Sequence, residues 1–244
     1  MDIKKLCGCL WFQLILLILL VSGTLNNMQE NVFANNDYGM IIKKGTENRK
    51  VVALTFDDGP HPVYTEQILD ILYEYDVKAT FFVLGMLAEN YPHIIKRQWE
   101  EGHEIGNHTY SHIDTKKASK EELLEEYKKT QDIIYSITKN KPKIFRPPYG
   151  SFDKKVLDMV EEDNSIVVLW SANQDSKDWK NPEVEKIVAN TISNIENGDI
   201  ILFHDYVYYD ESHTVEALKV IIPELINRGY KFVTLSQLLN ISTE

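Results

Sequence analysis

The sequence predicts an α/β protein, a closed or nearly closed barrel of about seven parallel strands, with an open doubly wound sheet as the structural alternative. Three observations lead there. From Val51 onward, apolar runs of strand length alternate with longer helical patterns. Several of the runs are continuous Val, Ile, Leu and Phe, as in strands buried on both faces. The length, 244 residues, suits one large domain of barrel size once an N-terminal leader is set aside.

The leader comes first. Lys4 and Lys5 precede an uncharged stretch from Leu6 to Met28, continuously apolar over Leu14–Val21, and a small-residue site at Val32-Phe33-Ala34. Residues 1–34 therefore read as a secretory signal peptide, or as an uncleaved membrane anchor. Either reading puts the rest of the chain outside the cytoplasm, secreted or held at the cell surface. Residues 35–50 form a polar lead-in, and 51–240 the folded domain.

The expected strands are Val51–Phe56, Ala79–Leu84, Glu104–Gly106, Lys143–Phe145, Ile166–Trp170, Asp199–Phe203 and Lys231–Leu235. Helices fill the gaps. Ser119 with Glu122 forms a capping box opening one of them. Its apolar stripe runs through Leu123, Tyr127, Ile134 and Ile137, flanked by Leu124 and Ile133. Asn181-Pro182 reads as an N-cap followed by proline at the first helical position. Gly102, Gly198 and Gly229 read as helix stops directly before strands. Trp99 and Trp170 are expected in the core. His61, His93, His103 and His213 are expected at the surface or as caps.

Composition narrows the function. The chain is 43% hydrophobic and 26% charged, which fits a folded protein and not a disordered one. The formal net charge is −11, and no basic stripe exists, so nucleic-acid binding is excluded as a reading. Both cysteines, Cys7 and Cys9, lie in the leader. The domain thus has neither a disulfide framework nor a thiolate metal site, and any metal must use His and carboxylate.

Polar clusters fall where strands end, at the rim that holds the active site in α/β barrels. Asp57-Asp58 follows the first strand. Adjacent side chains point to different sides, so one carboxylate can bind a metal while the other faces water at that metal. The same pair followed by Gly59-Pro60 also suits a turn that caps the next helix. His108 and His112 are four apart, a spacing that brings both imidazoles to one side. Two His and one Asp leave coordination positions open, as catalytic sites require. Arg146-Pro147-Pro148-Tyr149-Gly150 is a rigid loop that aims a guanidinium and a backbone N–H. His204 at a strand terminus suits a general acid if a carboxylate holds its tautomer. Trp179 and Leu202 suit either core packing or the wall of a small apolar pocket. Tyr206, Tyr208 and Tyr209 crowd one loop after His204 and suit stacking on sugar rings.

These residues carry a resemblance. TFDDGP at 55–60, HTYSH at 108–112, RPPYG at 146–150, DSKDW at 175–179 and LFHD at 202–205 resemble, in order and complete, the motifs of the polysaccharide deacetylases of carbohydrate esterase family 4, the NodB homology group. The likeness spans about 51–240. It implies a distorted (β/α) barrel, the NodB-type deacetylase barrel. It implies a divalent cation, zinc above all with cobalt as a substitute, held by Asp58, His108 and His112. It implies Asp57 as general base, Arg146 as its holder, the Tyr149 N–H at the oxyanion and His204 as general acid tuned by Asp178. Trp179 and Leu202 would line the acetyl-methyl pocket, with Tyr149 also facing substrate.

The implied activity is hydrolysis of N-acetyl groups from a cell-envelope polysaccharide, foremost the N-acetylglucosamine of peptidoglycan, releasing acetate. Chitooligosaccharide or poly-N-acetylglucosamine deacetylation and acetylxylan esterase activity share the motifs, because substrate choice lies in rim loops. An inactive glycan-binding protein would lack a base or a ligand, and neither is missing here. A different metallohydrolase, peptidase or phosphatase, is the third class; no HExxH run is present.

Overall fold

A computed structural model describes residues 41–241. The leader and its signal or anchor reading lie outside the described residues. Within them, no helix is long and apolar enough to cross a membrane.

The elements run β1 (Ile41–Ile42), β2 (Val51–Asp57), α1 (Tyr64–Glu74), β3 (Thr80–Val83), α2 (Gly85–Asn90), α3 (Pro92–Glu100), β4 (Glu104–Asn107), α4 (Lys120–Thr138), β5 (Ile144–Phe145), α5 (Lys154–Glu162), β6 (Ile166–Val168), α6 (Val184–Ile192), β7 (Ile200–His204), α7 (His213–Asn227), β8 (Lys231–Phe232) and α8 (Leu235–Leu239). Single 3₁₀ turns cover Pro148–Gly150 and Asp178–Lys180. Every described strand pairing is parallel, in the order β1-β6-β5-β4-β3-β2-β7, with β8 also on β2. The segment after β6 then reaches β7, where Ser171 N–H donates to the Ile200 carbonyl and Asp175 bridges Leu202. This is the nearly closed parallel barrel the alternation predicts, distorted as the family resemblance implies, and the seven expected strands are all present, several trimmed by one to three residues at an end.

β2 is buried along its whole length, and its alternation sorts chemistry from packing. Val52, Leu54 and Phe56 face the helices, in one apolar cluster with Ile68 and Leu72 of α1 and Leu218 and Ile222 of α7. Phe56 stacks on Phe81 and Phe203 of the two neighbouring strands, at 5.0 and 5.8 Å. Each such ring taken from water stabilises the fold by about 1.5–3 kcal/mol. Thr55 and Asp57 point the other way, into the barrel, where Arg146 meets both. The helix-facing side thus fixes the strand and leaves the interior side free to be polar.

Several local expectations change. A strand, β1, lies inside the polar lead-in and pairs with β6. Ser119 caps α4 by accepting from the Glu122 N–H, and the helix buries Thr130, Gln131 and Thr138 along with Leu123, Tyr127 and Ile134. Asn181 does not cap a helix: it takes φ 46°, and α6 begins only after Glu183. Its amide bridges loops instead, donating to the Glu211 carbonyl and accepting from the His213 N–H. Gly198 closes a turn after α6 and not the helix itself. A side chain there would meet the Gly45 and Thr46 carbonyls at 2.7 Å. Trp99 is 39% exposed, not core. His103 is buried, because its Nδ1 accepts the Ala79 N–H at a strand start.

Candidate active site

Five strand ends on the C-terminal side of the sheet deliver the polar groups, and the local backbone is bent to present them. Asp58, Thr109, His112 and Tyr149 all take left-handed φ, at 73°, 69°, 61° and 60°. Such angles cost a non-glycine residue energy and persist only where the surroundings hold them. Here the holders are visible. Asn107 Oδ1 accepts the Thr109 N–H, and Thr109 Oγ1 accepts the His112 N–H, so the turn after β4 brings the two histidines to one side.

Asp58, His108 and His112 converge. Asp58 Oδ1 lies 3.3 Å from His108 Nε2 and 3.2 Å from His112 Nε2. The three donor atoms sit within 4.8 Å of one another. His108 Nδ1 lies 2.6 Å from the Arg146 carbonyl. A carbonyl only accepts, so Nδ1 of His108 carries a proton, and the neutral ring has its lone pair on Nε2. That lone pair faces a buried carboxylate oxygen, Asp58 Oδ1, which has no hydrogen-bond partner. Two acceptors aimed at one point need a proton or a metal ion between them: with protons there the imidazoles hydrogen-bond Asp58, and with a metal all three groups are ligands. The donor set therefore fits a divalent metal, with one imidazole fixed from behind in the manner usual for metal ligands. Burial works to raise the Asp58 carboxyl, but the two imidazoles outweigh it and hold the group ionised, well below the usual range.

Asp57 points elsewhere. Its Oδ1 accepts from Arg146 Nη1 at 2.7 Å, while Oδ2 lies 3.9 Å from His108 Nε2. Arg146 is fully buried. Its other donors go to Thr55 Oγ1 (2.8 Å), the Val168 carbonyl (3.0 Å) and the Leu169 carbonyl (3.1 Å). The guanidinium also lies 4.1 Å over the Phe82 ring. Every one of these contacts fixes its plane, so the carboxylate it holds is fixed too.

His204 pairs opposite Asp57 in the β2–β7 register. Its Nδ1 lies 2.7 Å from Asp178 Oδ1, and its N–H donates to Asp178 Oδ2 at 2.8 Å. Thr214 Oγ1 adds a third hydrogen bond to that fully buried carboxylate, at 2.9 Å. Burial alone would lower the His204 pKa. The Asp178 charge and hydrogen bond reverse this, with Asp58 and Asp57 assisting, and raise it to about 10. The Tyr149 ring is exposed and stands edge-on to His112 at 4.7 Å. Leu202 is buried on β7, and Trp179 is half exposed on the 178–180 turn.

Asp57, Asp58, His108, His112 and Arg146 thus meet, with the His204–Asp178 pair across from Asp57. What the sequence reading lacks is the support beneath them: Thr55, Asn107, Thr214 and the Thr65–Asp205 pair. Asp205 is buried, accepts from Thr65 Oγ1 at 2.6 Å and donates its N–H to the Asp57 carbonyl at 3.2 Å. Its carboxylate packs against Gly59, where a Cβ would come within 2.1 Å of it. Burial lifts that carboxyl to about 7. Thr55, Gly59 and Asp205 lie inside the quoted motifs, which was the available signal.

A parallel barrel with three side chains whose donor atoms lie close enough to share a cation, a buried carboxylate beside them and a carboxylate-held histidine across from that has the layout of a hydrolase site. The chain belongs to the polysaccharide deacetylase family, whose family model matches residues 44–165. A peptidoglycan-N-acetylglucosamine deacetylase of Bacillus cereus is 43% identical over 201 residues, covering 82% of this chain and 93% of the relative. A crystal structure of a peptidoglycan N-acetylglucosamine deacetylase, in complex with an N-oxidanyl-benzamide, superposes with a TM-score of 0.80 at 40% identity, covering 84% of this chain and 94% of that one. A family 4 acetyl xylan esterase from Clostridium thermocellum, solved with a cobalt ion, gives 0.71 at 37% identity, covering 79% and 91%.

Proposed function

We propose that this protein removes acetyl groups from the N-acetylglucosamine of peptidoglycan outside the cytoplasm, residues 1–34 serving for export or anchoring and 51–240 for catalysis. One juxtaposition carries the chemistry: a lone pair of His108 and an unpartnered oxygen of Asp58 face the same point, beside Asp57. The substrate is favoured by the peptidoglycan deacetylases among the relatives and by the secretory character of the leader.

Asp58, His108 and His112 would hold a divalent cation, zinc first, which when bound supplies Lewis acidity to an acetyl carbonyl and to water. Asp57 Oδ2 takes a proton from the attacking water, while Arg146 keeps Oδ1 in place. The Tyr149 N–H donates to the carbonyl oxygen as it becomes anionic. His204 Nε2, protonated because Asp178 holds Nδ1, delivers its proton to the departing nitrogen. Trp179 and Leu202 flank the acetyl methyl. The products are acetate and a glucosamine amine.

The test is acetate release by zinc- or cobalt-loaded protein from peptidoglycan, N-acetylglucosamine oligomers and acetylxylan, side by side. Peptidoglycan is expected to be the best substrate, with release lost on chelation. Preference for acetylxylan, or release that survives full metal removal, overturns the proposal.

Asp178→Asn separates the acid from the rest. The carboxylate accepts three hydrogen bonds, and an amide has one oxygen to offer. Without the charge, burial pulls His204 down to or below its ordinary value of about 6.5. A general acid loses function as pH rises through its pKa. The alkaline limb of the kcat profile is therefore expected to move down, past neutrality, while the acid limb stays. An unshifted alkaline limb assigns proton delivery to another group.

A further inference from the structure

We propose that Tyr206 and Tyr208, on the loop between β7 and α7, form a stacking surface for a pyranose ring of the glycan, beside the sugar whose acetamide is cleaved; this deepens and rests on the deacetylase reading of the adjoining site. The loop leaves the barrel directly from His204-Asp205. Val207 is buried and pins it, while Tyr208 is 91% exposed. Scattered surface aromatics are ordinary, but these two belong to a ladder. Tyr64 at the start of α1 stacks on His61 at 4.3 Å, His61 meets the Tyr206 edge at 5.1 Å, and Tyr206 meets Tyr208 at 5.1 Å. The ladder thus begins on the segment that leaves Asp57-Asp58 and ends in solvent.

The backbone beneath the rings is tied from two sides. Tyr64 Oη donates to the Asp210 carbonyl at 2.6 Å, and Asn181 Nδ2 donates to the Glu211 carbonyl at 3.2 Å. His61 in turn is fixed by accepting the Val63 and Tyr64 N–H groups on Nδ1. An aromatic presented on a braced loop binds without a large ordering cost. A tyrosine ring offers an apolar face and a polar tip, matching the C–H face and hydroxyls of a sugar.

The experiment is calorimetric titration of the metal-loaded protein with the β-1,4 pentamer of N-acetylglucosamine, alongside steady-state acetate release from it. Tyr208→Ala is expected to weaken binding and raise KM about tenfold, the loss of one stacking contact, with kcat retained. Tyr208→Trp is expected to restore affinity. Tyr73→Ala, an exposed tyrosine at the far end of α1, is the control and should change nothing. Equal affinity for wild type and Tyr208→Ala, or no pentamer binding by wild type, overturns the stacking surface. Acetate release with no Tyr208 effect leaves the deacetylase reading standing alone. Tyr208-dependent binding without acetate release removes the deacetylase reading and keeps the surface.

Discussion

Asp57→Asn is expected to keep its metal in full stoichiometry and lose turnover by roughly 10²–10⁴-fold, the usual contribution of a positioned general base. The cluster of donor atoms is Asp58, His108 and His112, and the substitution touches none of them. An amide fills the same volume but cannot take a proton. It also removes the counter-charge of a fully buried guanidinium. Breaking a buried pair costs about 3–5 kcal/mol when the remaining charge is stranded. Here the loss should be smaller, because the asparagine oxygen can still accept from Nη1. Thr55, Val168 and Leu169 also keep their hydrogen bonds to Arg146. A modest drop in Tm is therefore expected beside a large drop in kcat. Metal analysis, unfolding and single-turnover rates on one preparation separate these effects. Near-normal rates with bound metal remove Asp57 as the base.

Much of the fold was legible because parallel strands buried on both faces leave an unbroken apolar run, as Val51–Leu54 and Ile200–Phe203 do. β1 was not: two isoleucines followed by Lys43 and Lys44 carry no such signal, and only pairing with Val167 and Val168 makes them a strand. Asn181-Pro182 misled because the cap signature is local, while the side chain is claimed by Glu211 and His213 from thirty residues away. His103 misled for a similar reason, its ring being the acceptor for a strand-start N–H that no pattern announces.

The site was legible in its reactive groups and silent in their supports. Carboxylates, imidazoles and a guanidinium at strand ends declare chemistry by type alone. Threonines do not, yet Thr55 orients Arg146, Thr214 completes the shell of Asp178 and Thr109 holds the His112 turn. Carbonyls do not either, since every residue has one. The Arg146 carbonyl fixes the His108 tautomer, so one residue steadies the proposed base through its side chain and a proposed ligand through its backbone. The left-handed backbone at Asp58, His112 and Tyr149 was also hidden, because no glycine marks those positions.

His108→Ala carries the other large effect, and its clearest readout is thermodynamic. Changes behind a metal ligand commonly cost 10–100-fold in affinity, so deleting the ligand itself should cost more than about 100-fold. Acetate release should vanish with it. A ligand that binds only the folded state stabilises it by about 2.7 kcal/mol at one hundred times its Kd. Wild-type Tm is therefore expected to fall on chelation, and the variant Tm to be indifferent to chelator. The chelated proteins should lie closer in Tm than the metal-loaded ones, because only the loaded wild type gains from the cation. A His108→Ala protein that still binds one metal per chain, releases acetate and loses Tm on chelation would show that the cation is held elsewhere.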